Sequence, residues 1–205
     1  KTMKIICIGR NYLDHVKEMK NDVPEYPVFF MKNENALIYN NLPFFVPDFS
    51  NDIHYECELV LRICKTGKNI EERFASAYYD AITLGIDFTA RDIQNRCIQK
   101  GEPWEIAKSF DCSAPMGEFM TMSEAGFPGD IEFRLEKNGA VVQNGNSKNL
   151  IFSFDHIISH VSKYITLKTG DVIFTGTPAG VGPVASEDLL EGFLAGKKVL
   201  TLRVK

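Results

Sequence analysis

The stretch His54–Tyr55–Glu56–Cys57–Glu58–Leu59–Val60–Leu61–Arg62–Ile63 decides how the chain is read. Successive side chains of a β-strand point to opposite faces, so residues two apart share a side. Tyr55, Cys57, Leu59, Leu61 and Ile63 then form an apolar face, and His54, Glu56, Glu58, Val60 and Arg62 form the other. Two carboxylates project side by side from a strand made of core material. Burying an ionised carboxylate costs several kcal/mol unless it is paired or binds a metal. A divalent cation removes that cost and the mutual repulsion together. The alternative is a solvent-facing strand surface, with Glu58 paired to Arg62 or to a lysine across the sheet.

A second stretch bears on the choice. Ala81–Ile82–Thr83–Leu84–Gly85–Ile86–Asp87 reads as a buried strand ending on an acid. Phe88–Thr89–Ala90–Arg91–Asp92–Ile93–Gln94 follows and opens a helix, with Thr89 as its N-cap. Glu56, Glu58 and Asp87 together would make an all-oxygen site of the kind that suits Mg²⁺ or Mn²⁺.

The remaining elements follow from local pattern. Strands are expected at Lys4–Gly9, Val28–Lys32, Ile131–Lys137, Ala140–Asn144, Val172–Phe174 and Lys198–Val204. Helices are expected at Tyr12–Lys20, Ile70–Tyr79, Ala90–Lys100 and Phe154–Tyr164, and Asn138–Gly139 marks a tight hairpin. Asn33–Asp52 reads as irregular with short strands at most, and Gly101–Asp111 as a loop holding the single tryptophan. Strands and helices do not alternate regularly, which excludes a doubly wound sheet.

Composition narrows the function classes. The 205 residues are 44% hydrophobic and 24% charged, with a net charge of −4 and no basic run. That balance argues against nucleic acid and anionic membranes as partners, and no apolar run is long enough to span a bilayer. The N-terminus turns polar at Arg10–Asn11, too early for a signal peptide, so a cytoplasmic protein starting at Met3 is expected. The five cysteines are scattered without a C-x-x-C pair, as buried reduced thiols would be.

Other residues carry chemistry only in combination. His15 and Glu18 share a helix face, and a histidine held by a carboxylate makes a competent general base near neutral pH. On their own they read as solvated, as does Lys108. His156 and His160 have the spacing of a metal pair but lack a third ligand, and read as structural or exposed. The glycine-rich Thr175–Pro183 loop lacks the ending of a P-loop. Its N–H groups could receive a small carboxylate, or it could be a plain turn.

Taken in order, Gly9–Arg10–Asn11–Tyr12 with His15, His54–Glu58, Asp87–Gln94, Gly101–Trp104 leading to Ala107–Asp111, and Thr175–Pro183 resemble the fumarylacetoacetate hydrolase family. The resemblance is particularly to its short acylpyruvase and oxaloacetate decarboxylase branch. It implies an α+β, β-rich fold, a mixed β-roll with short peripheral helices, as one catalytic domain over residues 1–205 with a lid at residues 10–27. It implies a homodimer that binds Mg²⁺ or Mn²⁺ through Glu56, Glu58 and Asp87. The implied substrate is a small 2-oxo acid, which chelates the metal and breaks a carbon–carbon bond through a pyruvate enolate. His15, oriented by Glu18, would activate water, and Lys108 would stabilise the enolate. Arg91 and Gln94 would orient the distal group, and Thr177 the carboxylate. Acylpyruvate hydrolysis and oxaloacetate decarboxylation come first among the implied reactions. Isomerisation or hydration of 2-oxo dioic acids from aromatic degradation is the alternative. A non-catalytic binding domain would be expected to have lost one of these groups.

Overall fold

The computed structural model describes residues 3–20, 22–38 and 42–205. The expectations touching residues 1, 2, 21 and 39–41 lie outside the described residues. The first half of the chain forms β1 (Ile5–Gly9), α1 (Leu13–Glu18), β2 (Val28–Lys32), β3 (Leu37–Ile38), β4 (Ile53–Tyr55), β5 (Cys57–Ile63), β6 (Tyr79–Ile86), β7 (Thr89–Ala90), α2 (Arg91–Lys100) and α3 (Glu105–Lys108). The second half forms β8 (Ala114–Pro115), β9 (Met120–Thr121), β10 (Glu132–Lys137), β11 (Ala140–Asn146), α4 (Phe154–Tyr164), β12 (Val172–Phe174), β13 (Gly182–Pro183), β14 (Leu189–Leu194) and β15 (Lys197–Arg203). This is the sheet-rich α+β fold, a mixed β-roll with short helices at its edge.

The largest sheet runs β2-β1-β12-β5-β6-β9, with β1 and β12 parallel and its other pairs antiparallel. Its central strands are buried on both faces, which is why they read as near-continuous apolar runs. Ile6, Ile8, Leu59 and Leu61 enter the main core, while Ile5, Cys7, Val60 and Phe174 fill a second cluster behind the sheet. A four-stranded sheet, β11-β10-β14-β15, packs into the main core through Phe133, Leu135, Leu190 and Leu200.

Several local expectations change. The stretch from His54 to Ile63 is two strands, not one: β4 pairs with β13 and β7, β5 with β12 and β6, and the chain changes sheet at Glu56. The surface reading of its polar face fails, since Glu58 is buried and Arg62 pairs with Asp80. Residues 72–78 form a 3-10 helix, because Ser162 takes the Asn69 and Ile70 N–H groups and Tyr79 has already joined β6. Thr89 is not an N-cap; it lies in β7, and Ala90 precedes α2 without a side-chain bond. The expected loop at residues 101–111 contains α3, and β14 was not anticipated. Cys7, Cys57 and Cys97 are buried free thiols, and Cys64 and Cys112 are half-buried.

Candidate functional site

Register builds the acidic cluster. Glu58 on β5 lies opposite Gly85 on β6, and beyond the strand ends the Asp87 N–H donates to the Glu56 carbonyl at 2.8 Å. Glu56, Glu58 and Asp87 are all buried, and each offers a carboxylate oxygen within 4.8 Å of the others. The expected convergence of the three carboxylates is therefore present.

Three buried cations surround them. Lys108 Nζ on α3 donates to Glu56 Oε2 (2.8 Å), Asp87 Oδ2 (2.7 Å) and Thr89 Oγ1 (2.6 Å). Arg91 Nη2 donates to Glu56 Oε1, and Nη1 to Gln94 Oε1 at 2.6 Å. Lys32, fully enclosed, sits 2.7 Å from Asp87 Oδ1 and donates to the carbonyls of Phe88, Lys108 and Ser113 and to Ser113 Oγ. Burial raises the Glu56 carboxyl, but the Lys108 and Arg91 charges outweigh it and hold it well below the carboxylate range. The Lys108 ammonium is shifted the opposite way: burial lowers it, and Asp87 and Glu56 more than restore it.

Glu58 differs. Its Oε2 accepts the Gly176 N–H at 2.8 Å, but no ion pair forms to it among the described residues. Burial, and then the Asp87 and Glu56 charges, push its carboxyl well above the ordinary range. Asp87 Oδ1 lies within ion-pair distance of Lys32 yet receives no hydrogen bond, since the angle is wrong for one. A hard all-oxygen donor set and one buried carboxylate without a cation fit a divalent metal ion.

The acids open onto a cavity of about 230 Å³. His15, Arg91, Gln94, Lys108 and Thr177 line it with the three acids. Glu18 stands one step back. Its Oε2 lies 3.2 Å from His15 Nδ1, and its Oε1 accepts the Gly180 N–H at 3.0 Å. Gly180 has φ 99°, and a Cβ there would stand 2.2 Å from the Val142 carbonyl oxygen, so the loop that receives Glu18 requires glycine. Asn11, fully buried, fixes the start of α1: its amide donates to the Phe152 and Thr175 carbonyls and accepts the Phe152 N–H.

Two residues are more engaged than the sequence suggests. Both Nη groups of Arg91 hold protein partners. The Thr177 hydroxyl donates to the Cys57 carbonyl and accepts from Gln143, so both of its roles are taken within the protein. Sequence reasoning passed over Lys32, Gln143, Arg10 as a cavity residue, and the apolar wall of Met19, Phe30, Ile98 and Trp104. For Lys32 a signal existed, since a lysine ends the apolar run Val28–Met31. His156 bonds Glu72, His160 stacks on Tyr26, and neither belongs to a cluster of three or more potential metal ligands among the described residues.

Comparison with known proteins agrees with this geometry. A family model described as fumarylacetoacetate (FAA) hydrolase C-terminal matches residues 4–203. A mouse (Mus musculus) protein named oxaloacetate tautomerase FAHD1, mitochondrial, is 41% identical over 98% of this chain and 91% of its own length. A Dictyostelium discoideum protein named oxaloacetate decarboxylase, mitochondrial, is 36% identical over 94% of this chain and 89% of its own. The solved structure of fumarylpyruvate hydrolase from Pseudomonas aeruginosa, in complex with Mn²⁺ and pyruvate, superposes with a TM-score of 0.92. It is 36% identical and covers 99% of this chain and 89% of that one.

Proposed function

The chain belongs to the fumarylacetoacetate hydrolase family, and from that premise we propose that it is a divalent-metal enzyme of 2-oxo acids that interconverts the keto and enol forms of oxaloacetate. The observation that carries the reading is the His15–Glu18 pair beside the Glu56–Glu58–Asp87 cluster at a single cavity. The name of the mouse relative supports the reaction, and so favours tautomerisation over the hydrolysis and decarboxylation that the resemblance ranked first.

Mg²⁺ or Mn²⁺ held by Glu56, Glu58 and Asp87 would supply Lewis acidity toward the 2-oxo acid. The protein does the rest. Glu18, bonded to His15 Nδ1, leaves Nε2 as the basic nitrogen. Nε2 takes a proton from C3 of the keto acid, and the C–H electron pair becomes the C2–C3 double bond while charge moves to the C2 oxygen. Lys108 opposes that charge. The proton returns to the oxygen, which gives the enol. Gln94, whose amide oxygen accepts from Arg91, presents its amide N–H groups to the distal end of the substrate. Arg91 acts through Glu56, and the Thr177 N–H receives the carboxylate. As a lid, α1 carries the base to the substrate.

A second reading is hydrolysis of acylpyruvates, which the apolar wall of Met19, Phe30, Ile98 and Trp104 favours because it would face an acyl chain. There Nε2 takes a proton from water, which attacks the 4-oxo carbon; the C3–C4 bond breaks with its electron pair passing to the pyruvate enolate, and C3 then takes the proton from Nε2, which gives pyruvate and a carboxylic acid. Loss of CO₂ from oxaloacetate breaks the corresponding bond without water. The homodimer and the cytoplasmic location expected above belong to the same proposal. The test is the decay of enol-oxaloacetate absorbance with Mg²⁺, set against release of pyruvate from acetylpyruvate. His15→Asn should slow tautomerisation by roughly 10²–10⁴-fold while Mn²⁺ binding persists. Unchanged decay in that variant would remove His15 as the base.

A further inference from the structure

We propose that Arg10 pairs with the second carboxylate of the substrate, so that the site selects 2-oxo dicarboxylates over 2-oxo acids with an uncharged end. The inference rests on the function proposed above. Three cationic side chains line the cavity, Arg10, Arg91 and Lys108. Arg91 is bound to Glu56 and Gln94, and Lys108 to Glu56, Asp87 and Thr89. Lys32, behind the cavity, is bound to Asp87. Each of these enclosed cations is thus already engaged with an acid of the cluster. Arg10 is the exception: it is half-buried and has no ion-pair or hydrogen-bonded side-chain partner among the described residues.

Its place in the chain suits the role. Arg10 lies between Ile8 and Gly9, which also line the cavity, and the helix that carries His15. Its backbone is left-handed at φ 61°, a conformation that residues with a Cβ rarely adopt. The buried anchor Asn11 follows directly, bonded to Phe152 and Thr175. The turn is therefore held from one side while the guanidinium stays unpaired. A guanidinium offers a planar fork of donors matched to a carboxylate, and it stays charged at any working pH.

The experiment uses the full chain with Mg²⁺, in the unaltered form and as Arg10→Gln and Arg10→Lys. Two quantities are read: KM for oxaloacetate, and the inhibition constant of pyruvate, which has the 2-oxo acid end but no second carboxylate. Arg10→Gln should raise the oxaloacetate KM by about 10- to 100-fold, the size of a lost charge-assisted pair. Pyruvate inhibition should move by less than about twofold, and Arg10→Lys should recover part of the loss. Equal weakening of both ligands would overturn the assignment and make Arg10 a shaper of the turn. An unmoved oxaloacetate KM would overturn it too. Absence of oxaloacetate turnover in the unaltered enzyme is a separate result that removes the proposed function, and this inference with it.

Discussion

Lys32 shows how much a single side chain can carry out of sight of the cavity. Its ammonium ties the strand β2 to Asp87, Phe88, Lys108 and Ser113. Lys32→Met would leave the Asp87 charge half-compensated and remove the ammonium from the Phe88, Lys108 and Ser113 carbonyls, of which Lys108 keeps the Ser113 hydroxyl as a donor. Breaking a buried ion pair from one side costs about 3–5 kcal/mol, and the midpoint of urea unfolding should fall accordingly. The three acids were legible because alternation and a strand end are local features. Lys32 and Gln143 were not, because what they bond lies far along the chain. Lys32 meets Ser113 across 81 residues, and Gln143 Oε1 accepts the Cys57 N–H across 86. Thr177 lines the cavity, but the engagement of its hydroxyl with Cys57 and Gln143 was not legible, for the same reason.

Among the elements, those with their own stop and start signals were legible. In the β10–β11 hairpin Asn138 and Gly139 both take positive φ, at 54° and 80°, as the dipeptide demands. Helix α4 begins at Ser153, whose hydroxyl accepts the His156 N–H. Residues 72–78 have helical spacing, but tertiary bonds to Ser162 and the early start of β6 tighten them to 3-10 form. The strand β14 escaped because glycine and an acid interrupt its alternation, and only its partners β10 and β15 make it a strand. Asp188, just before β14, ties it to the hairpin. It accepts from the Ala185 N–H and from the Asn138 amide, with Lys137 beside it. Burial pushes this carboxyl up, but those donors outweigh burial and hold it below the ordinary range. A depressed folded value gives stability that is complete above the unfolded carboxyl value, near pH 4, and is lost as pH falls through the folded value. Asp188→Ala should cost about 1–2 kcal/mol at neutral pH. Below about pH 4 its stability should fall less steeply with acid than that of the unaltered chain, as pH-resolved urea unfolding would measure.

On the scale of the molecule, the cavity is built from residues between Ile8 and Thr177, so no fragment contains it. A metal ion that binds only this assembled site stabilises the whole fold. Free Mn²⁺ at 100 times its dissociation constant should add about 2.7 kcal/mol to unfolding. In Glu58→Gln most of that increment should vanish, and thermal unfolding with and without chelator reads the difference. The parallel pairing of β1 with β12 has a consequence in time. Ile5–Ile8 is fully buried only when residues 172–174 lie beside it. A ribosome adding about 5–20 residues per second reaches β12 on the order of 10–30 s after β1. Throughout that interval one edge of an apolar strand stands open, an edge that can template the wrong partner. Nascent chains stalled before Val172 has emerged should therefore be held by chaperones or pellet more than chains stalled after Phe174 has emerged, and the remainder of the core closes only when β14 and β15 follow. Ribosome-profiled solubility of a series of stalled lengths would show a step at that position, with aggregation risk set by synthesis speed rather than by the strength of the finished fold.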